Sequence, residues 1–386
     1  MGNILILGDD GINSLGVLRS LGEKGYKPDL MITSNSKSNI FILKSKYYKS
    51  YQIVDKNEKA VYNKLVDYGK KNKGAYIFPT SDFVLNVLSC YRDDLTEMFI
   101  FPSVAVEDGS LSDLMRKTKM AEYAEKAGFC VPKTMKYLVK DSYGTDRNLF
   151  KFFSNNYPLI LKSESIDLPG CDFLIVKNEN ELKDSLAQCI GSTIMIQQFI
   201  QNAEEVAIQG VAYGDNQEPI VCGIVKKIRT SVFALGTTTY ANLEMIKDDD
   251  LKKMCLSFMK TIGFSGLFDI EILVKNKKYY FIECNLRNGS YGYAFTRMGA
   301  NLPELWLKGM NAPKGTFLPA TNKNLKDITF VNDIGDFAHV IKKNISPFKW
   351  LAQYISADAR LTYNFKDPKP FYSEIVYEIS KNIKNH

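Results

Sequence analysis

The chain has 386 residues, 45% of them apolar and 24% charged, with a formal net charge of +7, a globular composition long enough for about two or three domains with ample core. Only two histidines, His339 and His386, are present and the seven cysteines are scattered singly; this excludes histidine-built metal centres and triads, CxxC zinc sites and a disulfide framework. The modest positive balance suits anionic small molecules, no basic run carries interleaved aromatics, and the apolar stretches are far shorter than a membrane span, so neither nucleic acid nor a membrane span is expected.

Residues 1–110 alternate strand and helix patterns. Ile4–Leu7 reads as a first strand rather than a signal peptide, because no basic stretch precedes it. Met1-Gly2 is followed by Ile6 where a myristoylation motif needs Ser or Thr. Asn13–Lys24 is expected to be helical, with Leu15, Leu18 and Leu21 at helical spacing and Gly25 as the stop. Pro28–Thr33 and Ala75–Pro79 are further strands of an open α/β sheet. The turn Gly8-Asp9-Asp10-Gly11 lacks the GxGxxG spacing of a dinucleotide site. Pro79-Thr80-Ser81-Asp82 sits at the carboxyl end of a strand, where such sheets bind ligands; helix capping by Ser81 or Asp82 accounts for the same residues equally well.

A second block, 111–190, opens with a lysine-rich helix over Ser112–Ala127, stopped by Gly128. It continues with a short strand, Pro158–Lys162, whose apolar run is closed by Lys162. A third block, 191–312, begins with a buried strand over Thr193–Ile200, a polar turn through Gln201–Glu205 and a strand over Val206–Tyr213.

The strongest pattern lies in 266–287. Two alternating flanks, Gly266–Val274 and Tyr279–Arg287, are rich in β-branched and aromatic residues and flank the polar centre Lys275-Asn276-Lys277-Lys278, which predicts a hairpin. Centred near Lys277, it sets Glu271 opposite Glu283 and Asp269 opposite Asn285, with all four on one face. Like charges facing each other are destabilising; a hard divalent cation such as Mg²⁺, which also binds phosphates, removes the conflict. Arg287, two residues further along that face, carries a guanidinium suited to phosphate or carboxylate. A solvated acidic hairpin is the plainer alternative.

Phe281-Ile282-Glu283-Cys284-Asn285-Leu286-Arg287, with Glu271 upstream, resembles the metal-binding signature of the ATP-grasp ligases, a family that includes biotin carboxylase, carbamoyl-phosphate synthetase and the D-alanine and D-aspartate ligases. The resemblance covers about residues 1–310, and Asn288–Pro303 resembles the D-aspartate ligases most. It implies an α/β fold, α+β in the ATP-binding lobes: a pre-ATP-grasp domain over 1–110, a small lobe over 111–190, a large lobe over 191–312 and a C-terminal extension over 313–386. It also implies that Glu271, Glu283 and Asn285 hold Mg²⁺ or Mn²⁺. Lys117, in Met115-Arg116-Lys117 before Gly128 and Val131-Pro132-Lys133-Thr134, then touches the ATP phosphates, as does Lys162. Gln197 offers its amide to adenine, Gln198 and Ile200 contact it through backbone, and Glu205 holds the ribose. Arg287, Lys162 and Arg297 surround the reacting group, with Arg229 and Gly236–Thr239 softer matches near the acyl end. The family's phosphate loop is glycine-rich, whereas Ser163–Asp172 has one glycine, Gly170.

The function implied is a cytoplasmic, ADP-forming carboxylate–amine ligase. Its substrates are ATP, a carboxylate and an amine, with aspartate, other amino acids or a peptidoglycan precursor as first candidates; a homodimer stays open. A kinase or carboxylase on the same fold, and a nucleotide-binding regulator without turnover, remain alternatives. The basic stretch after 311, with Trp350, Pro368 and Pro370, reads as irregular.

Overall fold

The structure is a computed structural model. It describes residues 2–35, 40–105, 111–115, 117–141, 146–163, 174–232, 237–316 and 325–384, without the side chains of 112, 113, 117, 118, 163 and 377–384. It is α/β, and the chain gathers into two compact units: one from Met1–Ser112, Val206–Ile270 and Cys284–His386, the other from Asp113–Glu205 and Glu271–Glu283. The four segments expected from sequence are thus distributed over two units, to each of which the chain returns.

The first unit opens with five parallel strands, β1 (Ile4–Asp9), β2 (Asp29–Thr33), β3 (Tyr51–Val54), β4 (Ala75–Pro79) and β5 (Phe99–Ile100), ordered β3-β2-β1-β4-β5. Residues Ile4, Leu5, Ile6 and Leu7 are all buried, as expected of a parallel strand covered on both faces. The helix Ile12–Gly22 follows, one residue ahead of the expected start, and Gly25 at φ +87° turns the chain back toward β2. Leu15, Leu18 and Leu21 pack in the same core as Ile4 and Ile6. Trp306, on the helix Leu302–Asn311, is fully buried and meets the rings of Tyr76 and Phe78 edge-on, so a late part of the chain seals the sheet formed by its beginning.

The second unit holds β6 (Thr134–Leu138), β7 (Leu159–Ser163), β8 (Leu174–Val176) and β9 (Thr193–Gln198), antiparallel in the order β6-β9-β7-β8. The helices Arg147–Phe153 and Glu179–Ala187 are capped by the side chains of Asp146 and Asn178. They bury Phe153, Leu182 and Leu186 together with Leu159, Leu161, Ile194 and Ile196. The expected helix over Ser112–Ala127 is two, Leu111–Leu114 and Lys117–Lys126, and β9 stops at Gln198 rather than Ile200.

The third sheet has seven strands, β10 (Glu204–Tyr213), β11 (Ile220–Thr230), β12 (Thr238–Glu244), β13 (Ser265–Lys275), β14 (Lys278–Asn285), β15 (Ile328–Val331) and β16 (Ala359–Arg360), ordered β14-β13-β10-β11-β12-β15-β16. The stretch expected to be irregular instead carries β15, β16 and the helices Asp333–Ile341, Pro347–Ser356 and Lys369–Lys384. The first two of these helices are capped by the Asn332 and Ser346 side chains, and Pro347 fits the first helical position. The large apolar residues of these two helices recur at helical spacing but sit largely on the surface.

Candidate functional site

In the parallel sheet the strand order reverses at β1, with β2 on one side and β4 on the other, and ligands bind in the crevice beyond such a reversal. Asp9 ends β1, and Thr80, Ser81 and Asp82 follow β4. The two strand ends are held close: Ser14 Oγ donates to the Asp9 carbonyl at 2.7 Å and lies 2.6 Å from Thr80 Oγ1. A Cβ at Gly8 would stand 1.8 Å from Thr80 Oγ1, so only glycine fits there.

Asp82 opens the helix Asp82–Cys90, whose cap, Ser81, makes no side-chain cap bond. The Asp82 carboxylate instead receives a two-pronged bond from Arg287, Nε at 2.7 Å and Nη2 at 3.0 Å, the geometry in which guanidinium and carboxylate pair best. Arg287 also donates from Nη1 to the Asn288 carbonyl and from Nη2, at 3.4 Å, to Asn285 Oδ1. Asn288 is buried and donates to the Asn13 and Gly289 carbonyls. Gly289 passes so close to Gln209 and Asp269 that a Cβ would lie 2.1 and 2.3 Å from their polar atoms. Residues 285–289 are therefore fixed against the crevice of the first sheet. The Asp82–Arg287 fork is the feature sequence reasoning missed: its partners are 205 residues apart, and no local pattern links them.

Two further carboxylates lie near the end of β1. Asp9 pairs with Lys56 at 3.1 Å and accepts from Thr33. Asp10 accepts from the backbone N–H groups of Phe41 and Ile42; burial pushes its carboxyl above the ordinary range, against the pull of these two bonds.

In the second unit, Lys162 lies one residue before the end of β7, which runs on to Ser163 past the expected stop, and is buried, 7% exposed. Its ammonium donates to Gln197 Oε1 at 3.0 Å, and Gln197 Nε2 donates to Thr134 Oγ1 at 3.0 Å, a relay across three adjacent strands. Gln197 is buried and its amide is held at both ends. Gln198 donates its N–H to the Lys133 carbonyl; Ile200 and Glu205 are half-buried, Glu205 at the start of β10. Lys117 is the first residue of its helix, and its side chain, Arg116, most of Ser163–Asp172 and Gly236 lie outside the described residues. An open cleft of about 620 Å³ elsewhere in this unit is lined by Tyr157, Pro158, Ile175, Lys177, Phe199, Gln201 and Asn202; neither Lys162 nor Gln197 borders it.

β13 and β14 are neighbours joined by Asn276 and Lys277, both at positive φ, 51° and 59°, the signature of a two-residue hairpin turn. The turn's centre lies between these residues, so strict pairing outward from it sets Glu271 across from Ile282, one residue short of Glu283. Phe281 and Cys284, three apart and so on opposite faces of a regular strand, are both buried, as on a strand covered on both sides. From Glu283 on, Cys284, Leu286 and Asn288 are buried while Glu283, Asn285 and Arg287 are partly exposed, so these three follow one another on the accessible face. Glu271 is half-buried. Among the described residues no three of His, Cys, Asp and Glu gather as around a metal ion. The available donors are two carboxylates and one amide oxygen, a hard set that fits Mg²⁺, which keeps several waters and takes further ligands from phosphates.

Arg229 and Arg297 lie in different surroundings. Arg229 forks onto Asp336, Nε at 3.0 Å and Nη2 at 2.6 Å, reaches Gln353 at 2.8 Å and lies over the Tyr240 ring; it joins β11 to the C-terminal helices. Arg297 is exposed on the helix Gly292–Met298 and borders a cleft of about 270 Å³ with Arg360, Tyr363 and Lys366. Burial pushes the thiols of Cys222 and Cys255 up to about 12, which removes them as nucleophiles.

Comparison with known proteins agrees with this architecture. Residues 117–302 match the RimK-like ATP-grasp domain model. Pyruvate carboxylase of Bacillus subtilis is 24% identical over 241 residues, 58% of this chain and 20% of that protein. Human mitochondrial carbamoyl-phosphate synthase [ammonia] is 24% identical over 169 residues, 41% of this chain and 11% of that protein. The chain thus spans a fifth or less of these relatives. Among solved structures, N5-carboxyaminoimidazole synthetase from Staphylococcus aureus superposes with a TM-score of 0.65 at 16% identity, covering 90% of this chain and 87% of that one. The L-amino acid ligase from Bacillus licheniformis gives 0.60 at 14% identity, covering 81% and 75%. The fold is that of the ATP-grasp ligases.

Proposed function

We propose, because residues 117–302 match the RimK-like ATP-grasp domain model, that this chain is an ATP-dependent ligase that joins a carboxylate to an amine and releases ADP and phosphate. The observation that carries the reading is the series Glu283, Asn285, Arg287 on the accessible face of the chain, with Arg287 seated on Asp82 at the switch-point crevice. It pairs oxygen donors for a metal with a cation beside the place where an open α/β sheet takes its ligand.

A carboxylate is a poor electrophile; attack of its oxygen on the γ-phosphorus of ATP makes an acyl phosphate with a good leaving group. The amine then displaces phosphate and forms the amide. Glu271, Glu283 and Asn285 would hold Mg²⁺, which supplies neutralisation of the phosphate charge when bound. Lys162, with Lys117, adds fixed positive charge for the phosphates, and the Gln197–Thr134 relay keeps the Lys162 ammonium oriented. Gln197, Gln198, Ile200 and Glu205 form the nucleoside side of the site. Arg287, released in part from Asp82, meets the reacting carboxylate or acyl phosphate; Arg229, held by Asp336 and Gln353, and the exposed Arg297 are weaker candidates for that role. No protein nucleophile takes part.

The test is an ADP-release screen over paired acids and amines, with aspartate as the first acid. Turnover that requires Mg²⁺ or Mn²⁺ and yields an amide supports the ligase. Glu283→Gln keeps the side chain's size and removes its charge, so a loss of about 10³-fold is expected; turnover unchanged in that variant refutes the metal assignment. The relatives named for carboxylation make bicarbonate the acid of the second reading, and ADP release with bicarbonate alone as the acid would favour it.

A further inference from the structure

The helices Asp333–Ile341 and Pro347–Ser356 pack on each other through Phe337 and Trp350, whose rings meet at 5.0 Å, and Trp350 stacks on Tyr354. Their outer side is apolar. Phe348 is 87% exposed, Ile341 and Ile355 67%, Leu351 48% and Phe337 44%. Phe348, Leu351 and Ile355 recur at helical spacing on one helix, and Phe337 and Ile341 on the other. Monomeric soluble proteins rarely leave so many large apolar side chains together in water, and none of the chemistry above uses them.

The charge around the patch selects its occupant. The 21 residues from Phe337 to Ala357 contain Lys342, Lys343 and Lys349, all exposed, and no Asp or Glu. A second copy docked on this face through a two-fold axis would bring lysines against lysines. A surface that is negatively charged outside and apolar just beneath accepts both halves of the patch. We propose that this helical pair is a membrane-surface attachment site. Phe348, Leu351 and Ile355 enter the headgroup–acyl boundary of an anionic bilayer, and Lys342, Lys343 and Lys349 lie at the level of the negative headgroups.

The experiment is vesicle flotation of the full chain, comparing phosphatidylcholine vesicles with vesicles containing about one-third phosphatidylglycerol. The chain should float with the anionic vesicles, stay behind with phosphatidylcholine alone, and lose binding as salt rises. The triple variant Phe348→Ser, Leu351→Ser, Ile355→Ser should lose roughly tenfold or more of the binding with its melting midpoint unchanged, since the three side chains are exposed. As a second variant, Lys342→Gln, Lys343→Gln, Lys349→Gln should lose about fivefold per lysine and flatten the salt dependence. No flotation with anionic vesicles, equal flotation of wild type and the serine variant, or a lipid-free dimer that the serine variant dissolves would each overturn the proposal.

Discussion

Lys162 illustrates how one residue can carry two duties. Its ammonium is buried and donates to Gln197, so Lys162→Ala removes a charge proposed to face phosphate and leaves a buried amide oxygen short of a donor. The second effect costs about 1–3 kcal/mol and should appear as a lower melting midpoint without nucleotide, measured by scanning calorimetry. The nucleotide-induced rise in midpoint should shrink as well. An unliganded midpoint equal to wild type would mean that Gln197 finds another donor. Arg287 and Asp82 form a similar test: their fork is partly exposed, so water screens it, and a double-mutant cycle with alanine at both positions should give a coupling of about 1 kcal/mol. A coupling indistinguishable from zero would show that the fork does not hold residues 285–289 in place.

At the scale of elements, legibility followed burial. β4 was readable to the residue because every position of Ala75–Pro79 is buried and the run is bounded by turn residues. Lys162 stood out in sequence because a lysine so near the end of an apolar run is rare. The helices after Asn332 were missed although their apolar residues recur at helical spacing, because Pro368 and Pro370 read as breakers and the caps Asn332 and Ser346 gain meaning only once a helix is suspected. The hairpin at Glu271 and Glu283 was readable as a hairpin, but its turn centre between Asn276 and Lys277 depends on backbone detail that alternation alone does not encode. The partners of Arg229 and Arg287 lie far along the chain, 107 and 205 residues away, beyond any periodicity. One small element makes a pH test. Asp358, just before β16, is pushed up by burial but pulled further down by the Thr329 N–H and Lys326, leaving its carboxyl below the ordinary range. Its folded pKa is thus lower than its unfolded one, so its contribution is present above the unfolded value of about 3.9 and fades as pH falls through the folded value. Asp358→Asn should cost well under about 1 kcal/mol at neutral pH, because water screens the pair. The difference from wild type in urea unfolding should vanish in strong acid; a gap that widens in acid would contradict the sign.

At the scale of the whole molecule, the buried pair Arg19–Asp367 ties the first helix to the far end of the described chain. Nε of Arg19 meets Asp367 at 3.1 Å, Nη2 reaches its carbonyl at 2.8 Å, and Ser45 and the Lys46 N–H bond the same carboxylate. Removing one partner of such a pair strands the other in a dry environment, so Asp367→Ala should destabilise by about 3–5 kcal/mol in urea unfolding; a loss below about 1 kcal/mol would mean that the guanidinium finds water. This pair also sets a schedule for biogenesis. Its partners are separated by 348 residues, and a ribosome adding about 5–20 residues per second delivers Arg19 tens of seconds before the carboxylate that neutralises it. Throughout that interval the nascent first sheet has an unanswered cation in its core, and for most of it no Trp306 to seal it. Newborn chains should therefore stay protease-sensitive and chaperone-bound until the segment around Asp367 clears the exit tunnel, and then become resistant abruptly rather than in stages.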